Sequence, residues 1–318
     1  MSLQLVPAAI ADARLAADLE TRARPQEPVD PPTLQHQLKH PSEEGPHHLH
    51  LVIDGATPVG VANFRHPEGA AWGQDRLTSL DLALVPEGRA DAAEVLQRLE
   101  ALALDDHPKK LKAWSLDSEV YLHDACSAAR YHHVRTGVTQ DLDLVAGRDR
   151  LLAMRERTRA RMAAQGIALR HGGEVVGERL LDQVVVDLYN RTLHDMPHTV
   201  DEPELDQAGL DAVRSSPSFH LDRFWTAWDG DRLVALSFLD FPVERGNVWT
   251  VYTGCDRAYR GRGIAQAVKN ESVGQAVDLG LPRIRTDNDA ENSAMLAINR
   301  QLGYVPVYSV WEWLKTVG

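Results

Sequence analysis

Cysteine is the scarcest chemistry in this chain: only Cys126 and Cys255 occur among its 318 residues. Two cysteines make no disulfide framework, so the fold must rest on a core of its own. Apolar runs are short, and none approaches the length of a membrane-spanning helix. The first residues, Met-Ser-Leu-Gln-Leu-Val-Pro, lack the basic start and apolar centre of a secretion signal. These scarcities predict a cytoplasmic protein without membrane contact. Positive charge is short as well: the formal net charge is −12, which disfavours general nucleic-acid binding. One local exception is Arg148, Arg150, Arg155, Arg157, Arg159 and Arg161. They fall around most of a helix, and the stretch reads as a solvated linker. An anionic partner, or a phosphate of a bound ligand, is the other reading.

The remaining composition, 43% hydrophobic and 25% charged, is that of a globular protein long enough for two domains. One pattern occurs twice. Near the start come a strand (3–6), a helix (9–21), a Pro-rich break (24–32) and a hairpin around Asp54-Gly55. A strand at 80–85, a helix at 90–104, a strand at 111–116, a helix near 120–129 and closing strands to Leu144 follow. From Gly166 the order repeats: strand 167–170, helix 180–193, a Pro- and acid-rich loop, and a hairpin around Asp229-Gly230. The expected division is a first unit over 1–145, a linker helix over 146–166 and a second unit over 167–318.

The second unit carries the chemistry. An apolar strand from Asn247 to Thr253 runs into a loop with Arg260, Gly261, Arg262 and Gly263, and a helix starts at Ile264. Glycine lets a backbone approach a ligand closely, and a fresh helix offers unpaired amides and the positive end of its dipole. That combination cradles a diphosphate. It is no Walker loop, because Ile264 and Ala265 stand where Lys and Ser or Thr would follow. It is no dinucleotide fingerprint, because Gln266 replaces the third glycine. Downstream, Asn292 and Asn299 are seven apart on a helical pattern that ends at Gly303-Tyr304. Two amides on one helical face could hydrogen-bond a pantetheine arm.

The run from Arg260 through Gly263 and Ala265, followed by Asn-x-x-Met-x-x-x-Asn-x-x-Leu-Gly-Tyr304, resembles the acyl-CoA site of the GNAT N-acetyltransferase superfamily. The resemblance is specific over 247–313 and weaker over 167–246. It implies an α/β fold of two tandem GNAT-like domains, each a mixed, mostly antiparallel sheet flanked by helices. It implies acetyl-CoA as co-substrate, no metal, and acetyl transfer to a primary amine of a small molecule or peptide, by a monomer or homodimer. The implied acetyl-CoA contacts are Val251, Tyr252, Thr253, Arg260, Gly261, Arg262, Gly263, Ile264, Ala265, Asn292 and Asn299. Many members carry a tyrosine where Asn299 stands and use it to protonate the leaving thiolate. Asparagine cannot donate a proton in that sense.

Asp195, Asn299 and Tyr252 are therefore the catalytic candidates. Tyr259 and Tyr308 are further acids, and His198, His220 and Glu244 further bases. Acidic residues Asp201, Glu202, Glu204 and Asp206 would attract a cationic amine. Cys255 reads as a passive thiol, and His36, His40, His47, His48 and His50 as surface or half-buried residues rather than metal ligands. In the first unit only Gly88 survives of the phosphate loop, beside Glu87 and Asp91, so that unit reads as degenerate. The rival reading is a non-catalytic acyl-CoA-binding regulatory module.

Overall fold

The structure is a computed structural model that describes residues 3–41, 45–175, 178–193 and 204–317. Strand β1 (Leu3–Pro7) leads to helices α1 (Ala13–Ala23) and α2 (Pro31–Lys39). Asp30 starts α2 by accepting from the Thr33 amide and hydroxyl, with Pro31 and Pro32 in the first turn. The hairpin β2 (His48–Asp54) and β3 (Thr57–Arg65) turns at Gly55, whose φ of 61° suits glycine. Strand β4 (Leu77–Leu84), α3 (Ala92–Leu104), β5 (Lys110–Leu116), α4 (Val120–Ala128) and β6 (His132–Asp143) complete the first round.

Helix α5 (Arg148–Ala164) connects to β7 (Ile167–His171), α6 (Glu178–Leu193) and α7 (Gln207–Ser215). The second hairpin is β8 (Phe224–Asp229) and β9 (Arg232–Asp240). Then come β10 (Trp249–Cys255), α8 (Ile264–Asp278), β11 (Arg283–Asp289), α9 (Ser293–Leu302) and β12 (Val305–Thr316).

The described strands form one sheet in the order β1-β2-β3-β4-β5-β12-β6-β11-β10-β9-β8-β7. Neighbours are antiparallel except β4 with β5 and β10 with β11. Read from either edge, the order of elements is the same, so a pseudo-twofold axis passes between β12 and β6. A sheet confined to each unit does not describe this arrangement. Strand β6, from the first stretch, pairs with β11 from Gly137↔Asp289 to Asp143↔Arg283. Strand β12, the last of the second stretch, pairs with β5 from Val310↔Leu116 to Thr316↔Lys110. The closing strands are exchanged. Each spans 12 residues, enough to reach across the axis and pair with the other along its length. The cores follow the exchange: Trp313 is buried with Leu99, Leu111 and Tyr131, and Leu142 with Ile284, Leu302 and Tyr304. Burying each apolar face on the opposite helices makes the exchange part of the hydrophobic core.

The arginine-rich helix is bound rather than solvated. Arg148 donates to the Val277 carbonyl (3.1 Å) and Arg150 to the Leu302 carbonyl (2.6 Å), at the carboxyl ends of α8 and α9. Those carbonyls lack partners within their helices, so cations there are favourable. Arg155 pairs with Asp278 at 2.6 Å, and Arg159 grips the buried Glu271 through two contacts of 2.7 Å. A second tie between the halves is Asp30, which accepts from the amides of Val243, Glu244 and Arg245.

Candidate active site

Strand β10 pairs with β11 at one register position, Trp249↔Arg285, fixed by the Arg285 amide on the Val248 carbonyl (2.8 Å). Beyond it the strands part. The register against β9 slips between Thr250 and Tyr252, a bulge at Val251 that adds twist to β10. On its other side β10 stays paired with β9 as far as Cys255. A cleft of about 490 Å³ opens where the strands diverge, between β10, the phosphate-type loop, the start of α8 and the start of α9.

The loop is built for close approach. Asp256 accepts from the Ala258 amide (3.0 Å) and from Arg232 (2.8 Å), which holds the single turn before Arg260. Gly261 and Gly263 have φ of 75° and 82°, where a Cβ is strained. Gly263 is also the N-cap of α8, so no side chain caps the first-turn amides. Ile264 is buried with Val234, Ala267 and Cys255 and anchors that turn. Arg260, Gly261, Gly263 and Ala265 line the cleft. Arg262 does not: its Nε donates to Gln165 Oε1 (3.1 Å), and its guanidinium sits 5.2 Å from the Tyr259 ring. The cation over the loop comes instead from Arg161 of α5. A Cβ on Gly263 would lie 2.7 Å from the Arg161 guanidinium, which also lines the cleft.

Asn292 lines the cleft and caps α9, its Oδ1 accepting from the Met295 amide (3.2 Å). Asn299 is turned away, contrary to the seven-residue spacing. The helix begins at Ser293, and Asn292 lies outside it with ψ of 67°, so helical periodicity does not relate the two. Ala294, Met295, Ile298 and Gln301 are the α9 residues that line the cleft. One residue past Ile298, Asn299 is fully buried. Its Nδ2 donates to Gln140 (2.8 Å) and Asn288 (2.7 Å), and its Oδ1 accepts from Lys269 (2.6 Å). Asn299 is a bracket in a polar core and is not among the residues that line the cleft. Burial pushes the Lys269 ammonium down to about 7, with Asp287 opposing.

At the other end of the cleft stands Tyr252, its hydroxyl 2.5 Å from Thr192 Oγ1. The one hydrogen of Thr192 goes to helix carbonyls of α6, so Thr192 accepts and Tyr252 donates. Thr253 lines the cleft and bonds Ser237 (2.9 Å), whereas the side chain of Val251 faces a separate apolar pocket. Tyr259 lines the cleft and donates to Asp229 (2.9 Å). Tyr308 is tied to Glu27, and Glu244 to Arg14, so neither serves the cleft. Asp206 is the N-cap of α7. Asp195, His198, Asp201 and Glu202 lie outside the described residues. Burial raises the Cys255 thiol to about 11, so it is protonated at neutral pH, consistent with a passive role. Sequence reasoning missed Thr192, and it read Arg161 as one of six equivalent arginines.

The same place in the first half is filled. Strands β4 and β5 also part, after Leu80↔Ala113. Arg24 enters the gap and donates to the Leu82 carbonyl (2.9 Å), Asp81 (3.0 Å) and Glu119 (2.9 Å). Arg89 bonds the carbonyls of Leu84 and Ala23. Backbone carbonyls around the gap are thus taken by the chain's own guanidinium groups. A Cβ on Gly88 would meet the Val59 carbonyl at 3.0 Å, so the loop packs on a strand instead of opening.

No family model and no curated protein matches the sequence. Solved structures do match the fold. A tandem GNAT protein from the clavulanic acid biosynthesis pathway is 18% identical, with a TM-score of 0.74 over 100% of this chain and 99% of that one. A GCN5-related N-acetyltransferase from Sphaerobacter thermophilus is 16% identical, with a TM-score of 0.67 over 99% and 95%. A GNAT-family acetyltransferase from Colwellia psychrerythraea is 12% identical, with a TM-score of 0.57 over 99% of both chains. With two pseudo-symmetric halves, a parted parallel pair in each and whole-length overlap with such a protein, this chain has the tandem GNAT fold.

Proposed function

We propose that the second half binds acetyl-CoA and transfers its acetyl group to a primary amine. The observation that carries this reading is the parting of β10 from β11 directly beside a two-glycine loop at a helix start. Strand-edge backbone for two pantetheine amides and helix amides for a diphosphate thus share one cleft. The donor set fits: Arg161 and Arg260 add positive charge at the loop end, and Asn292, Met295 and Ile298 wall the other side. Bound there, acetyl-CoA would supply an activated acyl carbon as a thioester.

The amine attacks as the neutral base. Its nitrogen lone pair forms the C–N bond, the C–S bond breaks, one proton leaves the nitrogen and the thiolate sulfur takes one. Backbone amides on the freed edge of β10 favour the negative charge that develops on the carbonyl oxygen. Tyr252 is the proposed acid, because its ring walls both the cleft and the adjoining pocket; its hydroxyl hydrogen, which rests on Thr192, would turn to the sulfur in that step. The filled gap in the first half argues for one acetyl-CoA per chain.

Calorimetry with acetyl-CoA and a thiol-detecting assay for CoA release test the reading together. One site per chain and release that depends on an amine are expected. Binding without release on any amine would favour a regulatory acyl-CoA-binding module, and no binding would refute both.

A further inference from the structure

A second cavity meets the cleft at Tyr252. Its volume is about 200 Å³, and it lies between α6, α7 and the strands β8, β9 and β10. Its walls include Phe219, Phe224, Phe238, Leu236, Val251 and Tyr252. Three of those rings form a cluster: Phe224 stacks on Phe238 with centroids 5.4 Å apart, and Phe219 stands edge-on to Phe238 at 6.1 Å. Among the described lining residues the single charged side chain is Arg214, on α7. No carboxylate is among them.

We infer that this pocket seats the acceptor, and that the acceptor is a primary amine carried on an apolar body of about one aromatic ring. The inference rests on the acetyl-transfer reading and narrows its substrate. Size sets the body. A dry cavity of about 150 Å³ lined by aliphatic and aromatic side chains holds a benzene ring. The additional space here accommodates a short linker to the nitrogen. Chemistry sets the polarity. A second ammonium or a row of hydroxyls in this pocket would lose water and find few partners among its described walls, where Tyr189, Tyr252 and Arg214 are the polar side chains. The described walls therefore favour one phenyl-sized apolar body over polyamines and polyhydroxylated aminosugars.

The junction favours the acceptor over a long acyl chain. The described linings of the cleft and the pocket share Tyr252 alone. A tunnel for a continuous acyl chain would share several walls. A second reactant needs to meet the first at one point, and that point carries the proposed acid.

The test uses the full chain with 2-phenylethylamine, n-hexylamine, spermidine and glucosamine as acceptors, and acetyl-CoA and octanoyl-CoA as donors. The expected result is acetyl transfer to the first two amines with kcat/KM at least 30-fold above spermidine and glucosamine. Phe219→Ala enlarges the pocket at a half-buried ring and should move the preferred n-alkylamine longer by two or three carbons. Binding is read separately, by calorimetry with 2-phenylethanol, which cannot react. Saturable binding that Val213→Trp weakens at least tenfold supports the pocket even if acetyl-CoA fails to bind, in which case the transferase reading alone falls. No binding of the alcohol, preference for spermidine or glucosamine, or faster transfer from octanoyl-CoA to a polar amine would each overturn the inference.

Discussion

Arg161 offers a sharp trial of the cleft, because it belongs to the connecting helix and not to the glycine loop. Its guanidinium lies over Gly263, and its side chain is otherwise exposed. Removing an exposed side chain of this kind costs the fold within about 0.5 kcal/mol. Its proposed partner is a phosphate oxygen, and a hydrogen bond to a charged group contributes about 1.5–3 kcal/mol. Coulomb attraction at about 5 Å is near 3 kcal/mol at an effective dielectric of 20 and below 1 in water, so exposure favours the lower end. Arg161→Ala should therefore weaken acetyl-CoA about 10- to 100-fold, at about 1.4 kcal/mol per decade. The loss should fall on KM for acetyl-CoA with kcat unchanged, since the phosphate is remote from the acyl carbon. Arg161→Lys should recover part, because an ammonium supplies charge without the planar fork. Acetyl-pantetheine, which lacks the diphosphate, should not distinguish parent from variant. A Kd within twofold of the parent, or an equal loss with acetyl-pantetheine, would refute the placement of the diphosphate.

Three further outcomes follow from named contacts. Gly263→Asp costs about 1–2 kcal/mol for its left-handed backbone and places a carboxylate against Arg161, so calorimetry should show loss of acetyl-CoA binding in a folded protein; unchanged affinity would remove the loop from the site. Asp141 holds the buried Arg285 through contacts of 2.6 and 2.9 Å across the β6–β11 seam, so Asp141→Ala should destabilise by about 3–5 kcal/mol in urea titrations. A loss under about 1 kcal/mol would mean the seam does not depend on the pair. Lys269 loses its proton near 7 in the fold, whereas the unfolded chain keeps one to about 10.4. Between those values the unfolded state binds more protons, so this group makes stability rise with pH by up to about 1.4 kcal/mol per unit. Urea titrations at pH 6.5 and 9.5 should show that rise diminished in Lys269→Met, and equal pH slopes in parent and variant would show that Lys269 is not the group titrating.

Much of this was legible in residue order. Hydrophobic runs, Asp54-Gly55 and Asp229-Gly230 turns, and the Gly303 stop, with φ of 94°, mark the elements because each is a local backbone preference. Gly261 and Gly263 were readable for the same reason. Asn299 was not, because a side chain seven residues along turns inward only if the helix begins after Asn292, and that boundary depends on a single cap. Nor was the placement of β6 and β12. A closing strand has the same pattern whichever half it completes, and only the packing of Trp313 and Leu142 decides. Arg161 was visible as charge, but the phase of α5 against α8 selects it from its neighbours.

The exchange of closing strands also sets an order of events during synthesis. Strand β5 receives its inner neighbour from residues 305–316, the last regular element of the described chain. The first half therefore leaves the ribosome with an open strand edge and a core without Trp313, and it stays so until residues 305–316 have emerged. An unpaired edge of that kind invites association with other nascent chains. A break in α5 need not be fatal to assembly, since each fragment would hold the strand that the other lacks. Two fragments made together would find each other through β6 and β12, and either one made alone would remain incomplete.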